Sequence, residues 1–160
     1  NMYYKDEVED KDRIVTGWGA SLSGIWQFAE NTSLCFQGVY GKGISNYIQD
    51  ISGTGLDLVP SATAEGKLKA FGAWGGYIGF SHNWSKVLTS NIMYSYARVL
   101  DRYGMPTTSD KYAQYAAANL FWDFSEYGSC AIEYVFGRRN DFNKDYGNAS
   151  RINTMIQYRF

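Results

Sequence analysis

The stretch RINTMIQYRF, Arg151 to Phe160, places Ile152, Thr154, Ile156, Tyr158 and Phe160 on one face and Arg151, Asn153, Met155, Gln157 and Arg159 on the other. Successive side chains of a β-strand point to opposite faces, so this strict period of two reads as a strand. No turn, tail or charged cluster follows the last apolar residue. Two placements compete. One is the final strand of a soluble sandwich. The other is the closing strand of an outer-membrane β-barrel, with the apolar set on lipid and the polar set on a wet lumen.

The same alternation recurs upstream. The runs are Ile14 to Phe28, Ser33 to Gly41, Leu68 to Trp84, Leu88 to Leu100, Lys111 to Phe124 and Ser129 to Arg139. With the last run they make about seven strands, most of them longer than the ~5–6 residues common in soluble sheets. Short turns at 30–32, 85–87 and 125–128 alternate with longer segments at 42–66, 101–110 and 140–149. Short turns on one rim and long loops on the other are the asymmetry of an outer-membrane barrel, whose short turns are periplasmic. The acidic opening Lys5 to Arg13 (KDEVEDKDR) is too charged for a core or a bilayer and reads as a solvated loop.

Composition agrees. The chain carries 14 Tyr, 9 Phe, 5 Trp and 17 Gly but only 2 Pro, which suits long strands because Pro removes a ladder donor. A net charge of -1 argues against a nucleic-acid partner. No apolar run approaches the ~18 residues of a spanning helix, so strands must make any membrane crossing. Asn1 opens the chain without a basic segment or an apolar export signal, which reads as a mature, trimmed or partial sequence. The expected fold is therefore all-β: an antiparallel up-and-down transmembrane barrel, single-domain over residues 1–160, with 1–13 and 42–66 as extracellular loops. Single-chain bacterial barrels usually close with an even strand number. Seven strands thus mean the carboxyl-terminal part of a larger barrel, or a small barrel miscounted by one.

Five stretches carry a family resemblance: QGVYGKGISNYIQD (Gln37 to Asp50), AWGGYIGFSHNW (Ala73 to Trp84), SNIMYSYARV (Ser90 to Val99), IEYVFGRRN (Ile132 to Asn140) and RINTMIQYRF. In order and spacing, with the terminal Phe160, they resemble the carboxyl-terminal half of the DcaP-like trimeric outer-membrane porins. The resemblance implies a homotrimer of sixteen-stranded barrels in the outer membrane of Gram-negative bacteria, passing small and often anionic solutes by diffusion. Asn46 stands where that family tends to carry Arg, so one basic mouth residue is not carried over. The expected surroundings are outer-membrane lipids and lipopolysaccharide.

If odd positions line the lumen, the inward charges include Lys111, Glu133, Arg139, Arg151 and Arg159, with Asp123 near the periplasmic end. Bases outnumber acids, and rings of Arg or Lys favour anions. Glu133 is expected between Arg139 and Arg151 in depth and paired with one of them. The bland alternative is that these charges merely hydrate a polar wall. Arg98 and Arg138 fall on the lipid-facing parity, which is tolerable near an interface.

No catalytic, metal or cofactor site is expected. His82 is the one histidine, and its placement with Ser85 at a rim suits no hydrolase. Asp6, Glu7, Glu9, Asp10 and Asp12 lack the Gly-punctuated spacing of a calcium loop. Cys35 and Cys130 lie on opposite parities of non-neighbouring strands, against a disulfide. The loop 42–66, with Leu56, Leu58 and Val59, is apolar enough to pack inward as a constriction or outward over a neighbour. Ala20, Gly24, Ala116 and Ala118 are candidate contacts between barrels. A small structural or adhesive barrel without a conducting pore is the alternative function. A dry cluster of Trp18, Ile78, Leu120 and Ile156 would overturn the barrel reading altogether.

Overall fold

The computed structural model describes residues 1–48, 57–61, 65–100, 102 and 104–160. Its centre is one antiparallel sheet of seven strands in the order β11-β10-β9-β8-β7-β4-β3. These are β3 (Trp18–Ala29), β4 (Thr32–Lys42), β7 (Gly72–Asn83), β8 (Leu88–Val99), β9 (Asp110–Asp123), β10 (Gly128–Asp141) and β11 (Tyr146–Tyr158). Every strand pairs with its neighbour in the chain, and the sheet is open, with β3 and β11 as its edges. Two small hairpins complete the described fold: β1 (Met2–Asp6) with β2 (Lys11–Val15), and β5 (Leu58–Pro60) with β6 (Leu68–Ala70). No helix among the described residues is long and apolar enough to cross a membrane.

Register decides which face is which. Trp26 pairs with Leu34, Leu34 with Phe80, and Phe80 with Ile92. Ile92 then meets Ala118, Ala118 meets Tyr134, and Tyr134 meets Ile152. Even-numbered residues therefore share one face across all seven strands. That face is not covered: Trp18 is 51% exposed, Ile78 50%, Leu120 40% and Ile156 83%. A soluble sandwich would bury this set against a second layer. Its rings gather at two levels. Trp26 and Phe28 lie near the short turns (5.8 Å between ring centroids), as do Trp122 and Phe124 (5.9 Å) and Tyr127 and Tyr158 (6.4 Å). At the other end Trp18 meets Tyr40 (5.7 Å), Trp74 meets Tyr96 (5.0 Å), and Tyr96 stacks on Tyr112 (5.5 Å). A band of apolar side chains between two aromatic girdles is the lipid-facing surface of a transmembrane barrel.

The buried cluster lies on the odd face, and the connection between β4 and β7 makes it. Ile44, Ile48, Val59 and Phe71 fold down onto Ala73, Ala97 and Val99. Small residues let the loop approach: a Cβ on Gly19 would stand 2.9 Å from Ile44 Cγ2, and one on Gly75 3.1 Å from Ile48 Cγ2. The helical turn Ser45–Tyr47 is held by Asp57, whose Oδ1 accepts from the Ser45 amide (2.8 Å) and hydroxyl (2.8 Å). Of the two directions open to this apolar loop, the structure takes the inward one. Phe71, 1% exposed, anchors it and splits the expected run Leu68 to Trp84 into β6 and β7. Leu56, the first apolar residue assigned to this loop, lies outside the described residues.

Two segments expected to be irregular are ordered. Lys5 to Arg13 belongs to the β1–β2 hairpin, because its charges neutralise one another. Asp6 is wholly inaccessible, yet it accepts from Arg13 Nε (2.6 Å) and from the Val8 and Glu9 amides (3.1 and 3.2 Å). Arg13 also pairs with Glu9 (2.7 Å), and Lys5 with Asp10 (2.7 Å). The hairpin docks on β6, where Tyr4 Oη accepts from the Leu68 amide (2.9 Å). The polar segment 140–149 is mostly strand, since β10 runs to Asp141 and β11 starts at Tyr146 around a tight turn. Lys144 adopts φ 76° there, and Asn143 and Asp145 bond across the turn.

The exposed apolar face predicts that Ile78→Arg destabilises the full-length protein in lipid vesicles by about 2–4 kcal/mol, the cost of a cation at mid-bilayer. Ser95→Arg, on the odd face of the next strand, should cost well under half as much. Urea unfolding of both variants in vesicles checks the pair. The Arg13 bond holds the Asp6 carboxyl below its ordinary 3.8, against the opposing pull of burial. A depressed carboxyl stabilises the fold fully above that ordinary value and loses the effect as pH falls through the folded one. Amide protection factors in residues 2–15, taken relative to the intrinsic exchange rate at each pH, should therefore fall below about pH 4, and Asp6→Asn should remove the acid-dependent part.

Candidate functional site

The odd face is polar through its middle and is the face that sequence parity assigns to the lumen. One row crosses all seven strands: Gln27, Ser33, Ser81, Asn91, Asn119, Glu133 and Asn153 stand opposite one another in register. Asn91 Nδ2 donates to Asn119 Oδ1 (2.8 Å), and Asn153 Nδ2 donates to Glu133 Oε1 (2.9 Å). A longer contact, 3.5 Å, runs from Asn119 Nδ2 to Glu133 Oε2. Glu133 is thus held by two amides, which corrects the expected pairing with Arg139 or Arg151. Amides opposite one another in a sheet are fixed by register, whereas an arginine must find its acid across several ångströms of wet space.

Depth follows from the same register. Arg151 stands opposite Val135, Glu133 opposite Asn153, and Arg139 opposite Gly147. Arg151 therefore lies between Glu133 and Arg139, which reverses the expected order of Glu133 and Arg151. Arg139 sits near the outer end of β10 and its Nε contacts Asp110 Oδ1 (3.1 Å) and Asp141 Oδ1 (3.3 Å). Two carboxylates share this guanidinium, so its positive charge at this end of the sheet is more than offset. Lys111 lies at the outer end of β9, half-buried, and forms no ion pair among the described residues. Arg159 follows β11 at the short-turn rim, where its amide donates to the Tyr127 carbonyl (2.8 Å). It borders a cavity of about 410 Å³ there with Asp123 and Glu126.

The site residues are therefore not one ring. Lys111 and the Asp110–Arg139–Asp141 cluster mark the outer mouth, Arg151 and the amide row the middle, and Arg159 the inner rim. The inward loop adds what the sequence did not indicate. Beneath it lies a cavity of about 580 Å³ on the odd face, lined by Tyr47, Ile48, Tyr77, Met93, Tyr115 and Arg151 among others. Arg151 is exposed and forms no ion pair among the described residues, so it offers an uncompensated cation to whatever enters. Parity does place Tyr77, Met93 and Tyr115 on this face. Tyr47 and Ile48 reach it only through the tertiary path of the loop.

Other candidate chemistry stays apart. His82 lies near the short-turn rim, its Nδ1 2.8 Å from Thr32 Oγ1, with the Trp84 ring edge-on at 4.5 Å. Ser85 instead accepts from the Val87 amide within its turn. Cys35 and Cys130 are free, on β4 and β10. No group of three or more potential metal ligands occurs among the described residues.

The fold and face assignment define part of a transmembrane β-barrel of the outer-membrane type. The crystal structure of the outer-membrane channel DcaP of Acinetobacter baumannii superposes with a TM-score of 0.76 at 20% sequence identity. The match covers 99% of this chain and 44% of that one, so the chain spans less than half the length of the channel it resembles. No protein-family model and no curated protein sequence matches the chain.

The amide row gives Glu133 a structural role. Glu133→Leu should destabilise the full-length protein by about 1–3 kcal/mol, because it strands two half-buried amides. Glu133→Gln keeps an acceptor for one of them and should cost less. Denaturant unfolding in detergent compares the two.

Proposed function

We propose that this chain forms part of the wall of a water-filled pore in the bacterial outer membrane, through which small solutes diffuse passively, with a preference for anions. One observation carries the reading: the apolar face of the sheet is bare, while a loop folds onto the polar face and narrows the space above it. That inversion of a soluble protein suits lipid outside and water inside. A lumen constricted by a loop and lined by hydroxyls, amides and a few charges sorts solutes by size and field.

The anion preference rests chiefly on Arg151, with Lys111 at the mouth and Arg159 at the inner rim. Arg139 contributes less, since Asp110 and Asp141 occupy it. A homotrimer embedded among lipids and lipopolysaccharide fits the same reading. Ala118 lies on the outward face between Ile92 and Tyr134, and Ala116 between Tyr94 and Phe136, where small residues admit a neighbouring barrel.

Planar-bilayer recording on the full-length protein is the test. An exposed charge is worth ~0.2–1 kcal/mol, so Arg151→Gln should lower anion-over-cation permeability roughly 1.5- to 5-fold. Arg139→Gln should lower it as well, because Asp110 and Asp141 are then left uncompensated. Reversal potentials in a salt gradient that ignore Arg151→Gln would defeat the selectivity, and a wild-type protein without stepwise current would defeat the pore.

A further inference from the structure

The register of the seven strands sets a membrane plane, and three cations on the lipid face fall along it. Near the short turns, Trp26 on β3, Trp122 on β9 and Tyr158 on β11 step inward by about one residue per strand across the sheet, the stagger of a tilted barrel. Lys42 on β4, Arg98 on β8 and Arg138 on β10 step in the same sense at the same rate. The two lines stay about nine residues apart along any strand. That is roughly 30 Å of strand, or about 23 Å of thickness at a 40° tilt. It matches the ~25 Å apolar band of such barrels, so the cation row lies at the outer headgroup level.

Among the described residues these cations lack acidic partners. None of the three forms an ion pair among the described residues, and the carboxylates at this end of β9 and β10, Asp110 and Asp141, are engaged by Arg139. Arg138 donates Nε to Asn140 Oδ1 (3.0 Å) and lies 4.6 Å over the Tyr146 ring, which fixes it while leaving its terminal nitrogens for another acceptor. Directly inward of Lys42 and Arg98 the surface is indented. Gly38 and Gly76 pair across β4 and β7 and floor an open groove of about 630 Å³, walled by Leu22, Tyr40, Trp74, Ile78, Tyr94 and Tyr96. A Cβ on Gly38 would meet nothing within 4 Å, so the groove is unoccupied by protein at that point.

We propose that Lys42, Arg98 and Arg138 bind the phosphates of one bisphosphorylated outer-leaflet glycolipid of the lipid A type, with an acyl chain lying in the Gly38–Gly76 groove. Two strand steps separate successive cations, about 10 Å, so one headgroup with two phosphates spans adjacent positions. Arg offers forked donors to phosphate, and Lys a point charge. The proposal rests on the outer-membrane orientation argued above but not on conduction.

Native mass spectrometry of the full-length protein in phosphatidylcholine nanodiscs, titrated with hexa-acylated lipid A, tests it. Each basic residue near an anionic surface is worth ~1 kcal/mol, so replacing Lys42, Arg98 and Arg138 together by Gln should weaken binding by at least about tenfold. Wild-type protein should discriminate equally against dephosphorylated lipid A, a comparison that needs no variant. Gly38→Leu should fill the groove and weaken lipid A while all three charges remain. Equal affinity of the triple variant, or equal affinity for the dephosphorylated lipid, overturns the proposal. So does a triple variant that changes oligomeric state without changing lipid affinity, since the face is then a contact between subunits. If lipid A binding tracks the charges while wild type passes no current, the pore reading fails and the lipid site stands.

Discussion

A strand in hydrocarbon has no water to satisfy its backbone, so every N–H and C=O must find a partner within the sheet. The ladders from β3 to β11 meet this demand for five interior strands. β3 and β11, as edges, each leave one side of their backbone facing outward. Within a bilayer such edges require further pairing. The same demand explains why the strands are long and nearly free of irregularity: register shifts occur only at Gln27/Ala29 and Asn140/Asp141, both at strand ends. Irregular backbone is placed beyond the apolar band or on the odd face, as in the loop that carries Ile44 and Ile48.

Once the ladder is set, register assigns both face and depth to each side chain. Parity separates the exposed apolar set from the polar row of Gln27 to Asn153. The stagger between strands then orders charges by height. Arg98 and Arg138, costly at mid-bilayer, fall at the outer boundary beside the Trp74, Tyr96 and Tyr112 girdle. Residues far apart in sequence thus share one level because hydrogen bonding propagates a small, constant offset across the sheet.

Where local pattern determined structure, the sequence was legible. Period-two alternation located all seven strands of the main sheet, and parity identified the bare face from residues such as Ile152 and Ile156. Structure set by compensation was not legible. The KDEVEDKDR segment looked like a solvated loop because five acids obscure its pairing, yet Arg13 makes a buried Asp6 tolerable. Residues 140–149 looked like a loop because their polar composition resembles one. The side chains are polar since this part of β10 and β11 lies above the apolar band, so composition reported the surroundings and not the backbone. The path of the β4–β7 connection depended on Gly19 and Gly75 leaving room for Ile44 and Ile48, a complementarity that no single stretch of sequence contains.

On the proposed pore reading, the charges of the odd face obey a constraint opposite to that of a binding protein. A diffusion pathway must attract a solute strongly enough to admit it and weakly enough to let it leave. Concentrated unpaired cations would trap anions, and an uncharged wall would not select them. Here Arg139 is balanced by Asp110 and Asp141 at the mouth, Glu133 is held by neutral amides, and Arg151 stands alone below the loop. One uncompensated cation in a wet cavity acts through a field screened within about 8 Å at physiological salt. A bias of that range would operate only where a passage is narrow, and the loop residues Tyr47 and Ile48 share the cavity that Arg151 lines. On the proposed pore reading loop and cation act as one device: the packing of Ile44 and Ile48 onto Gly19 and Gly75 would bring the wall within reach of a charge that would otherwise be screened.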